Sequence, residues 1–320
     1  MTSRSAKLAP TPNAATGVTG QLPATGRIRN WSGPDALESV RAYVALTKPG
    51  IIWLLLVTTV PAMILAADGW PGLDLIALTL LGGILTAGGA NAINQWFDRD
   101  IDSLMSRTAD RPIPAGRVTP TRAFCWGLLL IIVGGVQLAV TVNWLSALWA
   151  LVAVGFYLLV YTAWLKRWTT QNIVVGGAAG AVPPLVGWAA VRDSVDLAPV
   201  FLFLIVFLWT PPHFWALALR YKADYINANV PMLPVVRGDR ETKKQIFWYA
   251  VALAGVSFLL PIFGEAGAIY TAAAGVLGAA FVAQAARVWS GRVQPMALFF
   301  FSIVYLPLLF LAAALDELVL

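Results

Sequence analysis

The sequence predicts an all-α, polytopic membrane protein: nine transmembrane helices around a central cavity, arranged as two pseudo-repeats of four helices plus one. Three observations predict it. Of the 320 residues, 59% are hydrophobic and 12% charged, with a mean hydropathy of +0.73; a water-soluble domain is about 45–50% apolar and about 25% charged. Apolar runs long enough to cross a bilayer follow one another along the chain. The basic residues fall almost entirely on one side of those runs.

Residues 1–40 are rich in Thr, Ala, Pro and Gly, carry several basic residues and contain no apolar run. They read as a disordered cytoplasmic tail. A signal peptide needs an apolar stretch directly after its first charges, and none stands there. The membrane domain then occupies 41–320. Its expected spans are 50–67, 73–96, 123–142, 144–165, 172–191, 198–219, 246–263, 266–286 and 295–315. Asn143 alone separates the third and fourth, which predicts a tight hairpin, and the seventh turns into the eighth at Phe263–Glu265.

Charge placement tests this count. With the N-terminus inside, segments 1–49, 97–122, 166–171, 220–245 and 287–294 hold 21 of the 22 Lys and Arg residues, and only Arg192 falls on the other face. One missed helix would scramble that bias. The N-terminus is thus expected in the cytoplasm and the C-terminus outside, in the inner or plasma membrane of the cell. The two long inner loops, 97–122 and 220–245, lie four spans apart. Both halves then cross the membrane in the same direction, and the loops meet over the cavity.

Composition excludes several functions. One cysteine, Cys125, rules out an internal disulfide and a multi-cysteine metal site; its apolar surroundings read as a small core residue. One histidine, His213, rules out sites that bind haem or zinc through two or more imidazoles.

Asn91–Arg117 concentrates chemistry. It holds four of the 16 acidic residues, together with Arg99, Arg107, Arg111 and Arg117, between two apolar runs. Asn94, Asp98 and Asp102 recur every four residues, so on a helix they form a polar ladder about 12 Å long. Mg²⁺ favours one or two carboxylates completed by phosphate oxygens and water. Asp98 and Asp102 can hold such an ion with help from Asn94, while arginines take the remaining phosphate charge. The bland alternative is a helix end with solvated ion pairs; the density of charge at a membrane boundary favours function. Arg111-Pro112-Ile113-Pro114 reads as a rigid extended turn able to aim Arg111 and Arg117 at the cavity.

A second group comprises Tyr221, Lys222, Asp224 and Tyr225, followed by Pro231-Met232-Leu233-Pro234. Lys222 offers a point charge to a phosphate and Asp224 a further metal or proton site; a plain basic loop with headgroup-level tyrosines fits as well. His213 follows Pro211-Pro212 inside the sixth span. There it can ligate iron, shuttle a proton or bond a carbonyl freed by the prolines. Asn91 lines the cavity or bonds a neighbouring helix. Tyr161 and Lys166 read as interface anchors, and Lys48-Pro49 as a helix start.

These residues resemble the UbiA-type intramembrane prenyltransferases. The match lies in Asn94-Gln-x-x-Asp98-x-x-x-Asp102, in Arg107-x-x-x-Arg111-Pro112 and in the nine spans. Leu46-Thr47-Lys48-Pro49, Trp209-Thr210-Pro211-Pro212-His213-Phe214-Trp215 and Pro231–Pro234 resemble the haem-farnesylating branch of that family. The resemblance covers residues 41–315. It implies transfer of a farnesyl group from farnesyl diphosphate to a vinyl group of haem B, giving haem O for terminal oxidases. It implies Mg²⁺ on Asp98, Asp102 and Asn94, with Lys222 among the catalytic groups. Arg107, Arg111, Arg117, Lys222, Asp224, Tyr221 and Tyr225 would surround the diphosphate, and His213 and Asn91 would contact haem. Haem B is then substrate rather than cofactor. Implied partners are the bilayer and a haem A synthase or oxidase assembly protein, with no nucleic acid. One departure stands out: the family's second segment has two aspartates where this chain has Tyr221 and Tyr225. Prenylation of a quinone precursor is the rival acceptor chemistry, and those relatives keep both aspartates. A transporter would bind near the midplane, whereas these carboxylates sit at the boundary. A non-catalytic haem carrier would have no use for the metal–diphosphate ladder.

Overall fold

The computed structural model describes residues 36–319. Of the expected tail, residues 1–35 lie outside the described residues, and residues 36–40 instead form the start of helix α1 (Ala36–Leu46). Every element among the described residues is helical, and the boundaries follow from local chemistry. Pro49 occupies the first turn of α2 (Pro49–Ala66), where its missing N–H costs nothing. α3 (Leu73–Phe97) runs into the short α4 (Arg99–Leu104). α5 (Pro120–Thr141) and α6 (Trp144–Gly155) form the expected hairpin: the Asn143 side chain accepts the Ser146 N–H at 2.8 Å as an N-cap and donates to the Ala189 carbonyl.

The fourth span continues from α6 through a π-helical segment, Phe156–Leu165, into α7 (Lys166–Trp168). The fifth is α8 (Asn172–Ala181) and α9 (Pro183–Arg192), broken where Pro183 starts a new helix. α10 (Leu197–Arg220) is followed by the short α11 (Lys222–Asn227) and α12 (Leu233–Val236). α13 (Gly238–Val256) with α14 (Leu259–Ile262), α15 (Ala268–Trp289) and α16 (Pro295–Val319) complete the chain. Among the described residues eight stretches are long and apolar enough to cross a membrane, and α2 adds the shorter apolar stretch Ile52–Ala66. The protein is a multi-pass membrane protein.

Without water to drive them together, membrane helices associate by close contact at small residues. α3 and α5 do so through glycine. A Cβ on Gly89 would stand 2.5 Å from the Gly127 carbonyl oxygen, and one on Gly127 would stand 2.7 Å from that of Gly89. α10 packs on α8, α13 and α16, and α16 closes the bundle by returning to α2. Cys125 is exposed on α5, not in the core as its neighbours suggest. A lipid-facing surface is itself apolar, so an apolar neighbourhood does not distinguish the two.

The pseudo-repeat is visible at the C-terminal ends of α3 and α10. Each helix ends where the N–H of Asp98 or Tyr221 bonds the carbonyl four residues earlier, and each is followed at once by a six-residue helix. Asp98 and Tyr221 hold equivalent places, as do Asp102 and Tyr225, which are both buried.

Candidate active site

The C-terminal end of α3 gathers a buried polar network that an apolar span can hold only if its groups are paired. Asp98 and Asp102 are 0% and 1% exposed. The Asn94 amide donates to Asp98 Oδ2 at 2.8 Å and to Thr162 Oγ at 3.1 Å. Lys166 Nζ reaches the same Asp98 oxygen at 2.5 Å. Arg111 Nη1 donates to both oxygens of Asp102, at 2.8 and 2.7 Å. Asp98 Oδ1 has no partner among the described residues.

A turn between α1 and α2 brings in a further cation. Asn91 donates to the Thr47 carbonyl at 3.0 Å and Gln95 to that of Leu46 at 2.7 Å. These bonds hold Lys48 in left-handed backbone geometry, φ 53°, and its Nζ donates to Asn94 Oδ1 at 2.8 Å. Burial, then the Arg111 guanidinium, pulls the Lys48 ammonium down to about 7, with Lys166 adding to that and Asp98 and Asp102 opposing it. An arriving polyanion would favour the charged form.

The loops at 97–122 and 220–245 meet, as their spacing predicts. Ser106 donates to Asp224 Oδ2 at 2.8 Å across the two, and the Arg107 guanidinium lies 5.8 Å above the Tyr221 ring. Burial pushes the Tyr225 phenol up, against the pull of Arg107. Arg111 is aimed by a compact turn rather than an extended one. Pro112 and Ile113 are buried, and the Pro112 carbonyl accepts from the N–H groups of Arg117 and Val118.

The structure thus brings together Asn94, Asp98, Asp102 and Arg111, with Arg107, Tyr221, Tyr225 and Asp224 across the loop contact. Other expected residues it places elsewhere. Lys222 pairs with Asp239 at 2.7 Å at the surface. Arg117 is exposed and bonds the Asp110 carbonyl. Asn91 is engaged in holding the Lys48 turn. Asn94 Oδ1 faces Lys48, so the metal-ligand part expected of that atom is taken by an ammonium. His213 does not bond a carbonyl freed by the prolines: its Nδ1 stands 2.7 Å from Ser302 Oγ on α16, and its ring lies between Trp209 and Phe299.

Sequence reasoning missed Lys48 and Lys166, which it read as a helix start and an interface anchor. The available signal was position: Lys48 opens the first apolar span and Lys166 closes the fourth, both at the end of the bundle that carries Asp98. The π-helical segment also escaped it. Thr162 Oγ bonds the carbonyl of Tyr157, five residues back, so the wider register turns Thr162 toward Asn94. Gly176 makes room beside it, because a Cβ there would collide with the Tyr161 ring.

The donor set fits a hard cation. Asp98 offers one open, buried carboxylate oxygen and Asp102 lies one helical turn on, leaving most of an octahedral shell to phosphate oxygens and water, as Mg²⁺ prefers. No cluster of three or more acidic, His or Cys side chains that could cage an ion occurs among the described residues. Lys48, Lys166, Arg107 and Arg111 outnumber the carboxylates Asp98, Asp102 and Asp224, so the site attracts an anion.

Residues 55–313 match the UbiA prenyltransferase family. The chain belongs to that family. Curated relatives include the protoheme IX farnesyltransferase of Streptomyces avermitilis, 49% identical over 285 residues, covering 87% of this chain and 93% of that protein. That of Symbiobacterium thermophilum is 52% identical over 291 residues, covering 88% and 97%. Among solved structures, a digeranylgeranylglyceryl phosphate synthase superposes with a TM-score of 0.73 at 18% identity, covering 88% of this chain and 100% of the other. A UbiA homolog from Archaeoglobus fulgidus bound to DMAPP and Mg²⁺ gives 0.62 at 16% identity, covering 85% and 98%. These superpositions carry the fold; the family membership makes this chain a prenyltransferase.

Proposed function

We propose that this prenyltransferase moves the farnesyl group of farnesyl diphosphate onto a vinyl group of haem B, giving haem O. The observation that carries the donor half is Asp98, a fully buried carboxylate with one open oxygen, paired with Lys166 and close to Lys48 and Arg111, with Arg107 over Tyr221 across the loop contact. The acceptor half is supported by the near-50% identity to two protoheme IX farnesyltransferases and by Tyr221 and Tyr225, which stand where the family resemblance implies aspartates in quinone-prenylating relatives.

The diphosphate lies against the four cations, under the loops joined by Ser106 and Asp224, with the prenyl chain among the helices. Asp98 through Oδ1, with Asp102 beside it, would hold Mg²⁺, which when bound supplies Lewis-acid charge to the phosphate oxygens. As the C1–O bond of the farnesyl ester breaks, its electron pair leaves with the diphosphate, and Arg107, Arg111, Lys48 and Lys166 offset the growing charge from preset positions. The vinyl π-electrons of haem B form the new C–C bond with the allylic cation. Water adds to the carbocation beside the porphyrin and loses a proton, leaving a hydroxyethylfarnesyl substituent. The apolar surroundings delay capture of the allylic cation by bulk water. Placement of 21 of 22 basic residues on one side supports a cytoplasmic position for these loops.

The test is incubation of the purified protein with haem B, farnesyl diphosphate and Mg²⁺, followed by mass analysis of the extracted haem. Farnesylated haem is expected. Unchanged haem together with prenylation of a quinone precursor would overturn the acceptor assignment.

A further inference from the structure

His213 lies in a closed contact set that the transfer chemistry above does not use. Its ring is stacked on Trp209, with centroids 4.2 Å apart and planes at 18°, and on Phe299, 4.7 Å and 25°. One residue ties the set together. Ser302 on α16 accepts the Trp209 indole N–H at its carbonyl, 2.9 Å, and its hydroxyl stands 2.6 Å from the Phe299 carbonyl and 2.7 Å from His213 Nδ1. Ser302 itself is fully buried.

The proton positions follow from what each atom can do. A serine hydroxyl has one proton, and a carbonyl oxygen can only accept. Two oxygens 2.6 Å apart repel unless a proton lies between them, so the Ser302 proton points to the Phe299 carbonyl. The contact with Nδ1 then needs its proton from the imidazole. A neutral imidazole has one N–H, so Nε2 keeps its lone pair. No hydrogen-bond partner for Nε2 occurs among the described residues.

We propose that Ser302 is a positioning residue for His213: its hydroxyl fixes the Nδ1–H tautomer and the ring direction, and so presents Nε2 to the iron of haem. The inference rests on the haem reading above. A neutral Nε2 is a common ligand of haem iron, and a hydrogen bond at the far nitrogen orients such a ligand and raises its basicity. The two stacked rings prevent the imidazole from turning to offer the other nitrogen. The same rings give an apolar wall suited to a porphyrin edge.

Titration of the purified protein with haem B alone, without farnesyl diphosphate, separates the two claims. Absorption and electron paramagnetic resonance spectra report the iron ligand, and the titration reports affinity. His213→Ala is expected to lose the histidine-ligated spectrum and to regain it with added imidazole. Ser302→Ala is expected to weaken haem binding about 10- to 100-fold, the range for loss of a partner behind a metal ligand, and to broaden the spectrum; Ser302→Thr should restore both. Farnesyl diphosphate binding, unchanged in Ser302→Ala, shows that the fold is kept. Should that variant not fold, Ser302→Cys, nearly isosteric with a poor acceptor, is read the same way. Wild-type affinity and spectrum in the serine variants, with His213→Ala altered, overturns the role of Ser302 and leaves the haem reading standing. A wild-type spectrum in His213→Ala overturns the iron contact itself.

Discussion

Lys166 and Asp98 are 68 residues apart in the chain and meet at 2.5 Å, with 13% and 1% of their side chains exposed. The pair joins the π-helical span to α3 beneath the two loops. Removing one partner of a buried pair strands the other, at a cost of about 3–5 kcal/mol. Lys166→Met is expected to lower the melting temperature of the purified protein and to weaken farnesyl diphosphate binding. A further Asp98→Asn in the same protein should recover much of the stability and none of the transfer. Thermal unfolding beside a transfer assay distinguishes these outcomes.

Asp98→Asn keeps the shape of the side chain and removes its charge. Transfer is expected to fall by about 10²–10³, the scale for losing one preset electrostatic contact. Removing divalent cations with a chelator should abolish transfer in the wild type, and restored Mg²⁺ should rescue it there but not in the variant. Wild-type rate and Mg²⁺ response in Asp98→Asn would refute the metal assignment.

Arg111 grips both oxygens of Asp102 from a turn built on buried Pro112 and Ile113. Lysine keeps the charge and loses the two-pronged geometry. Arg111→Lys should cost roughly 10-fold in kcat/KM and Arg111→Ala considerably more. Equal effects would mean that only fold stability is at stake.

Lys222 pairs with Asp239 at the surface, outside the carboxylate cluster. Exposed pairs contribute little. Lys222→Ala is expected to change transfer by less than about 3-fold, a small effect beside the Lys166 variant. A loss as large as that of Lys166→Met would place Lys222 on the diphosphate after all.

Gly89 and Gly127 let α3 and α5 touch backbone to backbone. Gly89→Val forces the helices apart and should destabilise the protein by about 1–3 kcal/mol. On the same helix Gly83 faces open space, with nothing within 4 Å of where a Cβ would stand, so Gly83→Ala should melt like the wild type.

Much of this protein was legible in its sequence. Spanning helices need long apolar runs and cytoplasmic loops attract basic residues, so span count, loop pairing and the Asn94–Asp98–Asp102 ladder all follow from composition and spacing. The sequence also located His213 and its prolines, because polar groups at depth are costly wherever they occur. What it could not supply was partnership. Lys48 and Lys166 look like ordinary span ends until the fold carries them 46 and 68 residues along the chain to Asn94 and Asp98. Asn94 looks like a metal ligand until an ammonium occupies its oxygen. Ser302 looks like one more small residue in an apolar helix until α16 closes against α10. Periodicity in sequence reports which face a side chain takes, a local property of about 3.6 residues per turn. Which cation neutralises which buried carboxylate depends on distances across helices, and only the packed bundle sets those.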